Sequence, residues 1–415
     1  MTVRAIFAGL AMIAATTTWA GQSTLINPVK RQYKDELVRL KTPAPAGAFV
    51  VKEDGAEVPY QTEEIDGKKF IWVCSTFEPV SSRSYEVLAG QPKAAAHRVS
   101  VKRDGAHWVL DNGQVAVKVP AEAAGSDIPG PISGVKLGDK WVGGSVFNSS
   151  MKLKSFSATV IGDGTLFGKI RLRYDFDGKA GFNQDIPAFA EVDVTVGPGW
   201  QHIELFERHE MARGDYWELE ASRGWTPTQG MSKPFSAGAG SGTVGGKVEH
   251  TRALKPGGVP YAKEELFINL FPRWNQHYKD GWYFVASDGT NGVGAVVVRA
   301  SRWVWPHQNS IEALVKASGD YAGLRGSTWK GQRLWWIIAG SMAPADTGYV
   351  ARYAWEHLDK LNHEFVLEWA GKKGGFSGMN FYDGGQINPT GGIRGMGKSA
   401  IANAGKPGDL GTLLR

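Results

Sequence analysis

Short runs of alternating apolar and polar residues recur along most of the chain, and Asp-Gly or Asn-Gly pairs separate many of them. Alternation with period two places every second side chain on the same face of a strand, and these dipeptides favour the tight turns of β-hairpins. Examples are Asp54-Gly55, Asp104-Gly105 and Asn112-Gly113. Because no fixed-length repeat accompanies the pattern, it does not indicate a propeller or a solenoid. The sequence therefore predicts an all-β fold of antiparallel strands.

The cysteine content limits how such a fold can be stabilised. Cys74 is the only cysteine among 415 residues, so an internal disulfide is excluded and the burial of a core must hold the fold together. Cys74 lies in the apolar run FIWVC, which is typical of a buried small hydrophobe rather than a reactive thiol. The 54 glycines and 16 tryptophans fit a protein of turns and flat aromatic surfaces.

The N-terminus has the pattern of a secretory signal peptide. Arg4 precedes a short apolar run, and Thr18-Trp19-Ala20 forms a small-x-small cleavage site before Gly21. No later segment approaches the roughly 18 continuous apolar residues that a membrane span needs. The sequence predicts a secreted or periplasmic protein that does not contact the membrane after residues 1–20 are removed.

Composition divides the remaining chain into three parts. Residues 21–93 predict a small N-terminal β-barrel, and residues 94–372 predict a large antiparallel β-supersandwich with one late amphipathic helix. That helix is expected within residues 346–371, because five apolar residues recur there at helical spacing. They are Val350, Ala354, Leu358, Leu361 and Phe365. Residues 373–415 predict a glycine-rich connector or the truncated start of a helical domain.

The charge balance favours acidic partners. The net charge is +6 and the isoelectric point is about 9.1. The lysines and arginines are dispersed, and no motif that reads DNA or RNA is present, so nucleic acid is not predicted as a partner. For an exported protein, an acidic polysaccharide or oligosaccharide is the better match.

The stretch from Phe267 to Asn309 carries the richest chemistry. Exposed indole rings beside a guanidinium suit a sugar acid, because the sugar ring stacks on the indole while arginine grips the carboxylate. By alternation, Arg299, Trp303 and Trp305 share one strand face. The alternative is that these tryptophans fill the core of a large sheet. The predicted substrate-binding residues are Trp274, Trp282, Arg299, Trp303, Trp305 and His307.

Catalysis on a uronic-acid polymer by β-elimination needs a base, an acid and a group that neutralises the carboxylate. His277 and Tyr278 are candidates for base and acid, and Arg273 or Arg299 for the neutralising group. An ordinary loop position is the alternative for His277. Hydrolysis would instead need two carboxylates across a cleft. Candidates for that pair are Glu204, Glu207, Glu218 and Glu220.

A second candidate face lies in the segment Gly199–Met211. Alternation places His202, Glu204 and Arg208 on one face of a strand, with Phe206 and Glu210. His202 and Arg208 are further catalytic candidates. The alternative is a ladder of cross-strand ion pairs without a catalytic role.

Other motifs do not support cofactor chemistry. Residues 392–399, GIRGMGKS, match a phosphate-binding loop formally, but no buried strand precedes them and only 16 residues follow. No zinc signature is present. No cofactor or metal site is predicted, and whether calcium bridges the substrate to the protein stays open.

Two segments carry a resemblance to a known family. The opening NPVKRQYKDELVRLKTPAP and the later WVLDNGQVAVKVP are similar to the exo-rhamnogalacturonan lyase-like family. The resemblance implies an N-terminal barrel, a central β-supersandwich and a C-terminal α/α-barrel, with GGIRGMGKS at the passage into the helical barrel. Here the sequence ends at Arg415, without room for that barrel. The resemblance therefore transfers no individual catalytic residue.

These observations favour β-elimination on an acidic glycan of the pectin or rhamnogalacturonan type. A glycan-binding protein without turnover, or a truncated remnant of a larger lyase, is the main alternative. A glycoside hydrolase is the third hypothesis.

Overall fold

The structure is a computed structural model that describes residues 22–27, 32–65, 67–124, 127–181, 185–212, 214–225, 229–235, 250–253, 266–269, 281–288, 290–299, 311–315, 322–328, 330–341 and 368–370. All regular secondary structure in these ranges is β-strand, which confirms the predicted all-β class. No helix that is long and apolar enough to cross a membrane occurs among these residues.

Twenty-seven strands are formed by the described residues. Seven lie before residue 90: β1 (Ser23–Asn27), β2 (Tyr33–Pro43), β3 (Phe49–Glu53), β4 (Ala56–Val58), β5 (Tyr60–Ile65), β6 (Lys68–Phe77) and β7 (Ser81–Ala89). Eleven follow up to residue 220: β8 (Ser100–Asp104), β9 (His107–Asp111), β10 (Ala116–Pro120), β11 (Gly134–Leu137), β12 (Lys140–Val142), β13 (Ser145–Asn148), β14 (Leu153–Asp163), β15 (Gly168–Lys179), β16 (Pro187–Val196), β17 (Ile203–Glu210) and β18 (Tyr216–Glu220). The last nine are β19 (Gln229–Phe235), β20 (His250–Ala253), β21 (Leu266–Asn269), β22 (Gly281–Ser287), β23 (Asn291–Arg299), β24 (Ile311–Val315), β25 (Ala322–Ser327), β26 (Lys330–Ser341) and β27 (Glu368–Trp369).

The N-terminal strands form two sheets around a shared hydrophobic cluster. One sheet has the order β27-β1-β7-β3-β4 and the other the order β2-β6-β5. Trp72, Phe77 and Tyr85 are fully buried in the cluster between them. In the hairpin between β3 and β4, Asp54 has φ 49° and Gly55 has φ 85°. Two positive φ angles are the signature of a type I′ turn, which the Asp-Gly pair favours.

Strand β27 belongs to this N-terminal sheet although it comes from the far end of the described chain. It pairs with β1, with Leu25 opposite Trp369 and Ile26 opposite Glu368. These two residues are extended where the sequence predicts the end of a helix. An unpaired edge of β1 offers backbone N–H and C=O groups, and pairing with β27 satisfies them. The remainder of the predicted helix lies outside the described residues.

The larger part of the protein is a sandwich of one long sheet and two shorter sheets. The long sheet has nine strands in the order β14-β15-β16-β17-β26-β23-β22-β19-β20. The first cover sheet has the order β12-β11-β10-β9-β8, and the second has the order β13-β18-β25-β24-β21. The first contacts the long sheet through β9 and β11, and the second through β25. We call the side of the long sheet that faces the cover sheets its inner face.

Alternation along the strands produces the core of the sandwich. On β16, Val192, Val194 and Val196 point into the inner hydrophobic cluster, while Glu191 and Asp193 lie on the outer face. The other strands of the long sheet follow the same rule, which a period of two dictates. The outer face is therefore available to charged residues.

The N-terminal sheets pack against the outer face of the long sheet near the start of β15. The buried Gln61 side chain donates to the carbonyl of Phe167 at 3.0 Å and accepts from the backbone N–H groups of Leu166 and Phe167. Lys169 donates to Glu63 at 2.7 Å across the same contact. The Gln61 amide and the Lys169 ammonium are thereby hydrogen-bonded, as burial favours. The predicted boundary between residues 93 and 94 stays a prediction.

Candidate functional site

Most of the predicted site residues lie outside the described residues. This group comprises Arg273, Trp274, His277, Tyr278, Trp303, Trp305 and His307. Trp282 lies on β22 with its Cα paired to Val297, and Arg299 is the last residue of β23, paired to Arg333. His202 and Arg208 are described in full. The catalytic and binding roles proposed for all of them stay predictions.

His202 lies just before β17 between two indole rings. Its ring stacks on Trp200 at 4.6 Å between centroids and on Trp336 at 3.9 Å. Only 1% of the residue is exposed. Both faces of the imidazole are therefore covered by aromatic rings, an arrangement typical of packing rather than of contact with a substrate.

Arg208 belongs to a network of ion pairs on the outer face of the long sheet, which we call the charge ladder. It pairs with Glu191, its cross-strand neighbour. The next pair in the ladder is Arg171 with Asp193, joined by two hydrogen bonds of 2.7 and 2.8 Å. This geometry matches the ladder of cross-strand ion pairs that alternation allows. The other members are Glu63, Lys169, Arg173 and Asp175.

The pKa values in the ladder follow from burial and pairing. Burial by itself would raise the pKa of Asp193, but the charges and hydrogen bonds of Lys169 and Arg171 lower it overall. Burial likewise opposes the charge of Lys169, yet the carboxylates of Glu63 and Asp193 raise its pKa above the ordinary value. These groups therefore remain charged at neutral pH, and the ladder is an internally compensated network.

A second polar cluster lies inside the sandwich, between β17 and β26 of the long sheet and β18 of the second cover sheet. Glu207 accepts hydrogen bonds from Arg333 Nε and from the indole N–H groups of Trp217 and Trp335, the last at 2.7 Å. Arg333 also contacts His209, with 3.2 Å between Nη2 and Nε2. All five residues are at most 2% exposed. We call them the Glu207 cluster.

His209 is neutral in this environment. Burial lowers its pKa well below the ordinary value, and the positive charge of Arg333 lowers it further. Because a guanidinium can only donate, His209 Nε2 must accept the hydrogen bond from Arg333, which places the imidazole proton on Nδ1. The cluster thus holds one carboxylate, one guanidinium and one neutral imidazole, with no net charge.

The Glu207 cluster marks one end of the sandwich. Across the long sheet, Glu207 is paired with Arg333, and Arg333 with Arg299 at the end of β23. Across the second cover sheet, Trp217 is paired with Gly326, and Gly326 with Ile311 at the start of β24. The contact between Glu207 and Trp217 joins these two rows. The end of β23 and the start of β24 therefore lie at the same end of the two sheets.

The same register applies to the preceding pair of strands. The end of β21 is beside the start of β24, with Asn269 opposite Glu312. The start of β22 is beside the end of β23, with Trp282 opposite Val297. The described residues that flank positions 270–280 and 300–310 therefore all lie at this one end: Asn269, Gly281, Arg299 and Ile311. These two segments, which we call the two connections, carry seven of the predicted site residues.

Sequence reasoning missed most of the Glu207 cluster. The sequence offers Glu207 only as one of four carboxylates for hydrolysis, and it singles out none of Trp217, Arg333 and Trp335. A signal was present, because Glu207 and His209 alternate on the apolar face with Ile203 and Leu205. A charged residue on the apolar face of a strand needs a buried partner, and the sequence does not name that partner.

The Glu207 carboxylate positions other groups rather than reacting itself. Its two oxygens accept three hydrogen bonds from buried donors, which leaves it enclosed. It fixes two indoles and a guanidinium at the end from which the two connections leave. No group of three or more residues with metal-binding side chains occurs among the described residues.

No protein-family model matches the chain, and no curated protein matches it. Among solved structures, a protein in the Glycosyl Hydrolase Family 38 from Enterococcus faecalis is similar, with a TM-score of 0.46, 9% identity, and coverage of 86% of this chain and 48% of that chain. An alpha-mannosidase from Enterococcus faecalis V583 gives a TM-score of 0.42, 9% identity, and coverage of 86% and 46%. An alpha-N-acetylgalactosaminidase from Bifidobacterium bifidum, a quadruple mutant, gives a TM-score of 0.35, 8% identity, and coverage of 65% and 38%.

The chain spans about half the length of the first two of these structures. All three are named as enzymes that act on carbohydrates, and none of the three is named as a rhamnogalacturonan lyase. The resemblance to the exo-rhamnogalacturonan lyase-like family stays a prediction.

Proposed function

We propose that the chain is a carbohydrate-active protein that binds an acidic glycan at the sandwich end marked by the Glu207 cluster and cleaves it by β-elimination. The observation that carries the proposal is the register of β21 to β24. It brings the residues that flank the two segments 270–280 and 300–310 to the same end of the two sheets: Asn269 and Gly281, and Arg299 and Ile311. On this proposal the tryptophans, arginines and histidines of both connections would share one region of the surface.

The residue types in this region suit a sugar acid. Indoles from Trp274, Trp303 and Trp305 would stack on sugar rings, and Arg273 or Arg299 would neutralise the carboxylate beside the proton that is removed. His277 and Tyr278 would act as base and acid. The Glu207 cluster would hold the strands next to this region in place from inside the sandwich, since its groups are fixed by buried hydrogen bonds.

Hydrolysis through the carboxylates that the sequence suggested is less well supported. Glu204 accepts a hydrogen bond from the indole of Trp336 at 3.0 Å and is buried. Glu207 is enclosed as described, and Glu220 pairs with Arg223. A hydrolase needs two carboxylates that reach the scissile bond, whereas Glu204, Glu207 and Glu218 are buried and the partly buried Glu220 is engaged by Arg223.

Export is part of the proposal. It rests on the signal-peptide pattern of residues 1–20. An acidic cell-wall or extracellular polysaccharide would then be within reach of the protein. Expression of the full chain in a bacterial host, followed by fractionation, tests this part, because retention of uncleaved protein in the cytoplasm would contradict it.

The test of activity uses purified residues 21–415 and a panel of acidic and neutral polysaccharides. Ultraviolet absorbance reports unsaturated uronate, and reducing ends report any cleavage. We expect an ultraviolet signal on a uronate polymer that is lost in His277→Ala and in Arg273→Ala, but kept in His107→Ala as a matched control. New reducing ends without the ultraviolet signal would establish hydrolysis instead. Binding without any new ends would leave a glycan-binding protein.

A further inference from the structure

We propose that the outer face of the first cover sheet is a separate binding surface for the carboxylate-bearing sugars of an acidic polysaccharide. The surface consists of Lys102 on β8, Lys118 on β10, Lys136 on β11 and Trp141 on β12, and we call it the lysine–tryptophan face. It shares the ligand class of the proposed function but none of its residues, and it lies in a different sheet.

The register places these four side chains on one face. Lys102 and Lys118 are both opposite Val109 of the strand between them, and Lys136 is opposite Trp141. The residues that alternate with them, including Leu110, Val117 and Val135, belong to the buried core. Because alternate residues point to opposite faces, the lysines and the tryptophan point away from the core.

Trp141 is held as a flat platform across the neighbouring strand. Gly134 lies beneath it, and a Cβ atom at Gly134 would touch Cβ and Cε3 of the tryptophan at 3.7 Å. The Lys118 ammonium lies 4.9 Å from the centroid of the indole ring. The indole is half-buried, so part of it stays accessible to a ligand.

The face is net positive by one charge, because its three lysines outnumber the two carboxylates that alternation places there, Asp104 and Asp111. Lys118 pairs with Asp104 at 3.1 Å. Lys102 and Lys136 are exposed, and within the described part of the chain neither forms an ion pair. Two of the three ammonium groups are therefore available to an external anion.

The geometry favours a polymer with regularly spaced carboxylates. Adjacent strands are about 4.8 Å apart, so Lys102 and Lys118, with one strand between them, are separated by about 10 Å. A lysine ammonium is a hydrated point charge on a flexible stem, which suits the successive carboxylates of a chain better than one bidentate acid. The indole beside Lys136 and Lys118 offers a stacking surface for the apolar face of a sugar ring.

Affinity electrophoresis of residues 21–415 in gels with polygalacturonate tests the proposal. We expect Trp141→Ala to weaken binding about tenfold, as loss of an aromatic anchor does. We expect Lys136→Ala to weaken it about threefold, with a smaller effect at high salt. Lys154→Ala, which removes an exposed lysine from β14, is the matched control and should bind as the unaltered protein does. Thermal melting checks that each variant is folded.

The outcomes separate this surface from the sandwich-end site. Weaker binding of Lys136→Ala with unchanged turnover of short oligosaccharides supports the proposal, and so does weaker binding in a protein that shows no turnover at all. Equal binding of Lys136→Ala, Lys154→Ala and the unaltered protein overturns it. Equal retention on methyl-esterified polygalacturonate would overturn the assignment to carboxylates. Equal retention on single-stranded DNA would overturn the assignment to a glycan.

Discussion

The two charged networks of the long sheet lie on opposite faces, and strand β17 contributes to both. Glu207 points inward to the Glu207 cluster, while its neighbour Arg208 points outward to the charge ladder. The inner network has one guanidinium and two indole donors around a single carboxylate. The outer network alternates acids and bases across β15, β16 and β17, reaches Glu63 of β5 through Lys169, and is partly exposed. Loss of a partner is therefore expected to lower the free energy of unfolding by very different amounts in the two networks, although their residue types are similar.

Burial is what separates the two networks. In the inner cluster, each polar group depends on a particular partner because water cannot replace it. In the ladder, the exposed fraction of the arginine side chains is 28% for Arg171 and 36% for Arg173, so water and neighbouring ions can compensate. The comparison predicts that substitutions in the Glu207 cluster lower the free energy of unfolding strongly. In the charge ladder, the loss should decrease as the exposure of the substituted side chain increases.

The largest effect is expected from Glu207→Ala. It leaves the Arg333 guanidinium buried without its carboxylate, which should lower the free energy of unfolding by about 3–5 kcal/mol. Urea denaturation of the two proteins measures this difference. Arg208→Ala on the same strand is the matched control and should cost much less. Equal losses in the two variants would remove the distinction between the inner and the outer network.

A smaller effect is expected from Asp193→Asn in the buried part of the ladder. The substitution weakens two charge-assisted hydrogen bonds from Arg171 and removes the charge next to Lys169, so we expect a loss of about 2 kcal/mol. Urea denaturation again gives the value. Asp175→Asn is the exposed counterpart, and a loss as large as that of Asp193→Asn would contradict the importance of burial.

The pH dependence of stability sharpens the comparison at His209. Its pKa is lower in the folded protein than in the unfolded chain, so below about pH 6.5 the unfolded state binds the extra proton. Above that pH, the neutral histidine makes its full contribution to the free energy of unfolding. As the pH falls, this contribution is lost by at most about 1.4 kcal/mol per pH unit.

Unfolding measured between pH 7.5 and pH 5 should therefore show a slope that is smaller in His209→Gln, a variant that keeps an acceptor for Arg333. His107 has a pKa that burial and the charge of Lys118 also lower, with Arg103 adding to the effect while Asp104 and Glu122 oppose it. Because it is half-buried, His107→Gln should remove less of the slope. An unchanged slope in His209→Gln would show that this histidine does not titrate on unfolding.

The smallest effect is expected from Arg173→Ala. This side chain pairs with Asp175 at 2.9 Å and with Glu191 at 3.6 Å, and its guanidinium lies 4.2 Å from the centroid of the Phe189 ring. Because the Arg173 and Asp175 side chains are 36% and 39% exposed, we expect a loss below about 1 kcal/mol that shrinks further in high salt. Denaturation at low and high ionic strength gives both quantities. A loss comparable to that of Glu207→Ala would place the ladder and the inner cluster in one energetic class.

Alternation in the sequence predicts which face of a strand a residue lies on, but it does not predict which residues of other strands it contacts. It separates Glu207 and His209 from Arg208 correctly, because the period of two follows from local backbone geometry. It does not indicate that Glu207 meets Arg333 and Trp217, which lie on β26 and β18. Those contacts depend on how the sheets are ordered and stacked, and a local pattern carries no information about that order.

For the candidate site as well, the local sequence identifies the residues, whereas their relative position depends on the tertiary structure. The stretch from Phe267 to Asn309 stands out by its tryptophans, arginines and histidines, and no tertiary structure is needed to notice it. Only the register of β21 to β24 brings the strand ends that flank residues 270–280 and 300–310 to one end of the sandwich. The late helix is the opposite case, since helical spacing is local, yet Glu368 and Trp369 are extended where they pair with β1.

The sequence by itself determined the all-β class, the turns at Asp-Gly pairs, and the face on which each strand residue lies. These properties depend on neighbours one or two positions away, so the order of residues specifies them. The tertiary structure decided which charges are buried, that two tryptophans and an arginine enclose Glu207, and that β27 completes the N-terminal sheet. Those properties depend on segments far apart in the chain, whose pairing is selected by burial and by the satisfaction of backbone hydrogen bonds over the whole fold.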